Sequence, residues 1–338
     1  MRKDLAAALA VGGIALAMPA WPGTKTEIVY DSFEKDGGYS IADYGAKWSN
    51  PYGLGEMASA GGDTRDFSGG KFNINAAPFR TAYDFSVYDH LKYMAASTQS
   101  FAVPARGSIT FSSVIEASTP GTQAHRVTHG TYVQSGQPYS APVMQGQQAG
   151  AVMNMVDFAT GQLFDWFISG NTAFTLIERL PSLVTGSALP AGREQMYTQI
   201  IREIPIRPGP HTVAITYTRR MNGASVAFLI DGRRISTVKN VGVPLDRQHH
   251  RFTGTYPSLG EGEPLVAQIN SFTIGHGLFS LLDAFPFQHP DVPELNVSVP
   301  LENRIFGQGV IAKFDNFKVI IDEKAAGEAD DAEADDAD

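Results

Sequence analysis

The chain has 338 residues, no cysteine and 43% hydrophobic residues, so a hydrophobic core rather than disulfides must stabilise it. Residues 322–338 carry nine acidic side chains and one basic one, which accounts for −8 of the net charge of −9 and leaves −1 for the rest. A nearly neutral body offers no positive field to a phosphate backbone, so the composition argues against nucleic acid as a partner. The acidic segment has almost nothing apolar to bury, and we predict that it is a disordered tail.

The N-terminus has the pattern of an exported protein. Arg2 and Lys3 precede an apolar run over residues 5–18, and residues 15–17 form the small-x-small triplet of a cleavage site. This run is too short to span a bilayer, and no other segment is long and apolar enough to do so. We expect residues 1–25 to be a signal peptide or an apolar extension and the protein to be secreted or at the cell surface. A cytoplasmic protein with a docked N-terminal helix is the alternative.

Breaker residues and periodicity predict the first elements. Residues 27–33 have the pattern of a first strand, whereas residues 48–70 are rich in glycine and proline and predict a long surface loop. Residues 53–58 of this loop match the dinucleotide-binding fingerprint formally, but Pro51 precedes them where that fingerprint requires a strand. Residues 84–96 are the one candidate for a short helix. Further strands are predicted over residues 107–117, 126–133, 151–158, 162–169, 173–180, 196–206, 265–279 and 310–321.

The clearest local signal is a three-stranded meander over residues 211–238. Its strands are separated by Asn222-Gly223 and Asp231-Gly232, pairs that tolerate the positive backbone angles of type I′ hairpin turns. The regular spacing of strands and turns predicts an all-β fold, a two-sheet antiparallel β-sandwich with few short helices. We expect one domain over residues 26–321.

Three segments, in this order, resemble the concanavalin A-like jelly roll of legume lectins, laminin G-like modules and several glucanase families. They are the opening Tyr-Asp-Ser-Phe at 30–33 with Trp48, the hairpins of the meander, and the closing Phe-Asp-Asn-Phe-Lys-Val at 314–319. The resemblance implies that the first and last strands of the domain pair. The whole chain also resembles a mostly actinobacterial family of unknown function, through residues 39–56, 161–169 and 274–290.

Carboxylates are the first candidates for catalysis. Glucanases of the resembled fold carry several acidic residues on one face of a single strand, but residues 153–158 supply only Asp157. An acid pair could instead assemble across strands, because Asp157, Asp165 and Glu178 fall on three consecutive predicted strands, whose neighbours lie about 5 Å apart. The alternative is that these residues are solvated carboxylates or cap turns.

Histidines and aromatic residues are the candidates for ligand binding. Five residues are candidates for ligand binding because they are aromatic, lie beside glycine or proline, or can pair with hydroxyl groups. They are His129, Trp166, Arg179, His276 and His289. Core packing is the alternative for each, and the alternation of Trp166 with Phe164 and Ile168 favours the core for Trp166. Asp165 would then point to the opposite face, with Phe167.

Calcium is the one metal that the resemblance suggests. Asp31 and Asp315, near the paired first and last strands, are the expected ligands, and turn-capping aspartates are the alternative. No cofactor is otherwise indicated, because the sequence contains no P-loop.

Three functions remain open. The first hypothesis is a secreted module that binds a carbohydrate or a similar extended polar ligand. The second is a glycan-active hydrolase or lyase that uses a cross-strand carboxylate pair. The third is a structural protein that self-assembles through the apolar residues 279–287, so a homo-oligomer stays open. The sequence has no cysteine and no Gly-x-Ser-x-Gly elbow, so it gives no signal of a nucleophilic hydrolase.

Overall fold

Buried and partly exposed side chains alternate along the longest strands, as a sheet with one buried face requires. From Gly107 to Ala117 every odd-numbered residue is buried and every even-numbered residue is partly exposed. The computed structural model describes residues 23–50, 59–81, 91–123, 125–134, 137–180, 197–239, 241–242, 263–281 and 305–324, with only the backbone given for 128–144 and 197–199. No helix in these ranges has both the length and the apolar character that a membrane span needs.

The regular elements of the described part are almost all strands. The first half contains β1 (Thr24–Asp31), α1 (Ile41–Lys47), β2 (Trp48–Ser49), β3 (Thr64–Asp66), β4 (Phe72–Ala76), β5 (Leu91–Ser97), β6 (Phe101–Ala102), β7 (Gly107–Ser118), β8 (Val127–Gln134) and β9 (Gln137–Met144). The second half contains β10 (Gly150–Asp157), β11 (Gln162–Ser169), β12 (Thr172–Arg179), β13 (Tyr197–Pro205), β14 (Pro210–Arg220), β15 (Gly223–Ile230), β16 (Arg233–Lys239), β17 (Ser271–Phe279) and β18 (Val310–Glu323).

Two antiparallel sheets form a jelly-roll β-sandwich, which confirms the predicted fold class. The first sheet has the order β16-β15-β14-β7-β18-β4-β3, with β1 also on β18; the second has the order β13-β12-β11-β10-β17-β5-β2, with β6 also on β17. Between the sheets lies one hydrophobic core. Trp166 of the second sheet donates its indole N–H to the Ala214 carbonyl of the first at 2.9 Å, and this bond connects the two layers directly.

The last strand organises the first sheet. β18 pairs with β7 on one side, while on the other side its first part pairs with β4 and its later part with β1. Thr24 of β1 lies opposite Glu323, and Asp31 lies opposite Phe317. The implied pairing of the first and last strands is therefore present.

The predicted meander is β14, β15 and β16. At its second turn Asp231 and Gly232 have φ angles of 50° and 78°, as a type I′ turn requires. The first turn lies one residue earlier than predicted, because Arg220 pairs with Gly223 and the turn residues are Met221 and Asn222. β16 ends this sheet as an edge strand and exposes Arg233, Arg234 and Lys239.

Two predictions about helices and loops were wrong. Residues 91–96 of the predicted helix lie in β5, whose residues are all buried; a short, largely apolar run does not distinguish a buried strand from a helix. The α-helix of the described part is α1, where Ser40 and Asp43 form a capping box, and a 3-10 helix spans Gln145–Gln148. The predicted long loop contains β2 and β3, and residues 51–58 lie outside the described part.

Asp31 connects the end of β1 to α1 and β2. Its carboxylate accepts hydrogen bonds from Tyr39 Oη at 2.6 Å, Trp48 Nε1 at 2.8 Å, Lys47 Nζ at 3.0 Å and the Phe33 amide at 3.1 Å. The side chain is 1% exposed. Four donors therefore occupy both oxygens of Asp31, and its calcium role stays a prediction.

Asp315, the other expected calcium ligand, lies where the pairing of β18 with β7 becomes irregular. Burial raises its pKa, a shift that the neighbouring Asn316 amide opposes. Within the described ranges no three His, Asp or Glu side chains cluster as a metal site would require. The structure thus gives the expected calcium no set of ligands.

Replacing Asp31 with alanine should strongly destabilise the fold. The substitution leaves the buried donors of Tyr39 and Trp48 without an acceptor, and we expect a loss of about 3 kcal/mol in the free energy of unfolding, measured by urea denaturation. Glu27→Gln is the matched control, because Glu27 is 55% exposed and lies 3.8 Å from Lys318; its effect should stay below about 0.5 kcal/mol. Equal losses in the two variants would contradict the role of Asp31.

His211 should make stability depend on pH. Its Nδ1 lies 2.6 Å from Asp231 Oδ2 and its Nε2 lies 2.7 Å from the Arg207 carbonyl, so both ring nitrogens face acceptors. Burial lowers the His211 pKa, but the hydrogen bonds to Arg207 and Asp231 outweigh it and raise the pKa above 6.5. The pair therefore stabilises the fold fully below the unfolded pKa, and this stabilisation is lost as pH rises through the raised folded pKa.

We expect the native chain to have a larger free energy of unfolding than the His211→Gln variant. The difference should be largest near pH 5 and should shrink toward pH 9. Denaturant titrations across this range measure the difference. A difference that stays constant with pH would show that the imidazolium does not stabilise the fold.

Candidate functional site

The second sheet has two buried faces of different character. On β11, Phe164, Trp166 and Ile168 point into the core between the sheets, as the alternation predicted. Asp165 and Phe167 point away from the first sheet, and Phe167 belongs to a separate apolar cluster on that side. We call this side of the second sheet the outer face.

Three polar residues cross the middle of the outer face, and we call them the polar strip: Asn154 of β10, Asp165 of β11 and Glu178 of β12. Asn154 lies directly opposite Asp165, and its Nδ2 donates to Asp165 Oδ1 at 2.5 Å. Asp165 lies opposite Leu176 and Glu178 lies opposite Leu163, so the two carboxylates are diagonal neighbours on adjacent strands. Such neighbours have Cα atoms about 7–8 Å apart.

The electrostatics of the polar strip favour the protonated form of Asp165. Burial raises the pKa of Asp165 well above its ordinary value, and the negative charge of Glu178 raises it further, against the hydrogen bond from Asn154. Asp165 is 2% exposed and Glu178 is 4% exposed, so solvent screens this repulsion weakly.

Two glycines leave the backbone of β17 without side chains next to the polar strip. Gly275 lies opposite Asn154 and Gly277 lies opposite Val152. A Cβ on Gly275 would lie 3.2 Å from Asn154 Oδ1, and within the described part that oxygen is buried without a hydrogen-bond partner. Gly275 therefore lets the backbone of β17 approach this acceptor closely.

Apolar side chains surround the strip. Nine buried hydrophobic residues form the apolar cluster on the outer face: Leu91, Met94, Val152, Phe167, Phe174, Leu176, Ile200, Phe279 and Leu281. A few polar groups within an apolar surround have the composition of a small-molecule site. Phe279, part of the segment considered for self-assembly, is 2% exposed, and residues 282–287 of that segment lie outside the described part.

Asp157 does not join the carboxylate pair. It is on the same strand as Asn154, but three residues away, so it points to the opposite side of the sheet. Its carboxylate accepts from the Ala159 amide at 3.0 Å and from Thr160 Oγ1 at 2.7 Å, and burial raises its pKa. Asp157 therefore caps the β10–β11 turn, and its catalytic role stays a prediction.

Trp166 and Arg179 are buried and engaged within the fold, and their ligand contacts stay predictions. Both are 0% exposed. The Trp166 indole bonds to the first sheet, as described above. Arg179 Nη2 donates to Glu263 Oε1 at 2.7 Å, so its guanidinium holds the segment that begins at residue 263 against the end of β12.

His276 is a fully buried core residue, and its ligand contact stays a prediction. Its Nε2 lies 2.9 Å from the Tyr44 hydroxyl, which itself lies 2.7 Å from the Tyr93 hydroxyl. Rings of Trp48 and Phe314 pack on it with centroids 4.7 and 4.8 Å away. Burial lowers the His276 pKa to about 3, so the ring is neutral at ordinary pH. The flanking glycines serve the outer face, whereas the histidine between them points into the core.

Two predicted ligand residues remain untested. His129 is on β8, opposite Pro142, but its side chain is outside the description, and His289 lies outside the described residues altogether. The sequence analysis missed Asn154 and Gly275. A strand that is buried on both faces has a continuous apolar run. Asn154 interrupts the apolar run of β10 with a polar side chain, and this interruption was a signal in the sequence.

Comparisons with solved structures find similar chains of low sequence identity. An endo-1,3-beta-glucanase from Streptomyces sioyaensis is 12% identical with a TM-score of 0.38, and covers 90% of this chain and 99% of its own. Beta-agarase B from Zobellia galactanivorans is 9% identical with a TM-score of 0.44, and covers 92% and 97%. The carbohydrate recognition domain of Emp46p is 8% identical with a TM-score of 0.32, and covers 81% and 98%.

None of the curated proteins matches the chain in sequence. A family model does match, over residues 60–323, which span both sheets and include every residue of the polar strip. The chain therefore belongs to the family of unknown function DUF6081.

Proposed function

We propose that this protein binds a carbohydrate or a similar extended polar ligand on the outer face of its second sheet. The polar strip is the observation that carries the proposal. Asn154 Oδ1 is a buried acceptor with no partner in the described part, and Asn154 lies directly opposite Asp165, the diagonal neighbour of Glu178. Sugar hydroxyls donate to such oxygens, while the C–H faces of a sugar ring pack on apolar side chains.

Binding at this strip requires the outer face to open. Asp165 and Glu178 are almost fully buried, so a ligand cannot reach them by simple diffusion onto the sheet. Association that needs a conformational change is slow compared with rigid docking. We therefore expect an association rate below the usual range of about 10⁵–10⁷ M⁻¹s⁻¹.

The proposed location is outside the cytoplasm. The basic start, the apolar run and the small-x-small triplet at residues 15–17 support a cleaved secretory signal. An extracellular module without cysteine depends on its core for stability, and the large core between the two sheets is consistent with this.

Glycan hydrolysis or cleavage by a lyase reaction is the second candidate function. The diagonal register of Asp165 and Glu178 favours it, since the paired carboxylates of glycosidases lie about 5–10 Å apart. The raised pKa of Asp165 suits a general acid that protonates the departing oxygen. Glu178 would then be the ionised partner that attacks the sugar or activates water.

A glycan array probed with the purified full chain tests the binding proposal. A bound glycan should lose at least about tenfold in affinity on Asn154→Ala or Glu178→Gln, measured by titration calorimetry. The matched control is Glu116→Gln, which alters a half-exposed ion pair with Lys313 on the first sheet and should leave affinity unchanged. A silent array, or equal affinity in native chain and strip variants, would refute the site.

The same glycan distinguishes binding from catalysis. If the protein is an enzyme, incubation should release new reducing ends or unsaturated products, and Asp165→Asn or Glu178→Gln should each abolish that release. Binding without any product from the native chain would assign the strip to recognition alone.

Asp165→Asn should also stabilise the fold at neutral pH. The folded-state pKa of Asp165 is raised, so the unfolded state releases its proton first and stability falls as pH rises above about 3.8. Asparagine cannot ionise and so removes this loss of stability. We expect the variant to have a higher thermal midpoint than the native chain at pH 7 and no higher midpoint near pH 3.5. A gain in stability together with a loss of binding is the signature of a functional residue. A variant that is less stable at pH 7 would contradict the raised pKa.

A further inference from the structure

Two side-chain hydroxyls at the end of the β11–β12 hairpin are buried without hydrogen bonds, and we call them the hydroxyl pair. Ser169 is the last residue of β11, Thr172 is the first residue of β12, and the two lie directly opposite each other. Both residues are 0% exposed. Neither Ser169 Oγ nor Thr172 Oγ1 has a hydrogen-bond partner within the described part, so the two hydroxyls do not bond even to each other. Burial of this kind costs free energy without any return to the fold.

The hydroxyl pair is on the outer face of the second sheet. Side chains two residues apart on a strand point to the same side, so Ser169 points to the same side as Phe167 and Asp165. Thr172 likewise points with Phe174, which belongs with Phe167 to the apolar cluster of the outer face. Asp165 and Ser169 are four residues apart on β11, which separates their Cα atoms by about 13 Å. The hydroxyl pair thus shares a face with the polar strip but is separate from it.

Two phenylalanines lie between the hydroxyl pair and the polar strip, and we call them the aromatic platform. Phe167 and Phe174 lie opposite each other, and their rings meet edge to face with centroids 5.7 Å apart. A Cβ on Gly150 would overlap the Phe167 ring, so this ring lies directly on the bare backbone at the start of β10. Apolar faces of a ligand can pack on such rings. Along β11 the outer face therefore presents a polar group, an aromatic platform and a second polar group, in that order.

Polar groups do not continue across the strands in the same way. Beyond Asn154 lies Gly275, and beyond Asp165 lies Leu176, so this described row is polar on two strands only. A ligand that crosses the strands along this row would leave the polar strip for apolar surface. A ligand that runs along β11 would reach polar groups at both of its ends.

The chemistry of the hydroxyl pair favours a neutral group. A hydroxyl both donates and accepts, so Ser169 and Thr172 can bracket a ligand hydroxyl that donates to one of them and accepts from the other. A charged group buried against neutral hydroxyls loses far more solvation than a neutral group does. Neither Pro205, opposite Thr172, nor Glu203, opposite Phe174, supplies a positive charge. A carboxylate or sulfate is therefore a poor ligand for this position.

We propose that the hydroxyl pair is a second subsite of the outer face and takes a hydroxyl of a neutral oligosaccharide that runs along β11 from the polar strip. This inference rests on the proposed function, because the hydroxyl pair becomes accessible only through the opening of the outer face described there. A span of about 13 Å exceeds a single sugar ring, so the ligand has more than one sugar. Its middle part packs on the aromatic platform.

Removal of the two hydroxyls tests the subsite. Ser169→Ala and Thr172→Val change the shape of the site little, and their thermal midpoints should not fall, because neither hydroxyl bonds within the fold. The double variant should lose at least about tenfold in affinity for the neutral glycan found on the array, measured by titration calorimetry, whereas Thr172→Ser should keep the native affinity. Thr216→Val is the matched control. Its hydroxyl lies 2.9 Å from Thr110 Oγ1 on the first sheet, and its loss should leave affinity unchanged.

Fragments of the same glycan test the direction and the length. A disaccharide that still depends on Asn154 should bind the native chain and the double variant equally, because it cannot reach from the polar strip to the hydroxyl pair. Longer fragments should bind the native chain more tightly than the double variant. A disaccharide that loses as much affinity in the double variant as the longest fragment would overturn the proposal.

The remaining outcomes separate this inference from the proposed function. Native affinity of the double variant for every fragment, while Asn154→Ala abolishes binding, would overturn the second subsite and leave the polar strip in place. Binding confined to uronic-acid or sulfated glycans would overturn it too, and so would lower thermal midpoints in both single variants, because the hydroxyls would then be bonded within the fold. A silent array would refute the proposed function and this inference with it.

Discussion

The pairing of β18 is the constraint on which the rest of the first sheet depends. This one strand bonds to β7 along one side and to β4 and β1 in succession along the other. Its residues are more than 200 positions from those of β1, β4 and most of β7, so the contacts close very long loops. Such non-local pairing forms late and slowly in folding, and it requires the two ends of the domain to meet. Gly107 permits this closeness, because a Cβ there would overlap the Asp322 carbonyl.

The outer face of the second sheet combines features that stability alone does not favour. A buried carboxylate next to another is electrostatically unfavourable, and a buried amide oxygen without a partner loses a hydrogen bond. Asn154, Asp165 and Glu178 bring these features together on one face, next to the bare backbone at Gly275. Proteins retain such local conflicts mainly at functional sites, so the strip is the strongest candidate for function in the described part. Asp157, on the other side of the same sheet, lacks this conflict because its carboxylate accepts hydrogen bonds from its own turn.

Much of the fold could be predicted from the sequence because its signals are local. Asp231-Gly232 specifies a turn by backbone preference, and the alternation around Trp166 assigned Asp165 to the correct face. β5 was missed because an apolar run over residues 91–97 has no period that excludes a helix.

The candidate site was predicted only in part. Three consecutive strands carry Asp157, Asp165 and Glu178, but the face of each depends on strand register, which changes with a shift of one residue. The direction of His276 could not be predicted for the same reason, since only the pairing with Met153 reveals that it points into the core. The surroundings of Asp31 could not be predicted because its four donors come from residues up to 17 positions away.

The charges on β16 have a consequence for assembly. An edge strand presents unpaired backbone N–H and C=O groups, which invite a strand from another molecule to extend the sheet. Arg233 and Arg234 place two exposed positive side chains at the start of this seven-residue strand, so two copies that approach edge to edge through β16 repel each other. The sandwich is thereby protected at this border against open-ended polymerisation into fibres.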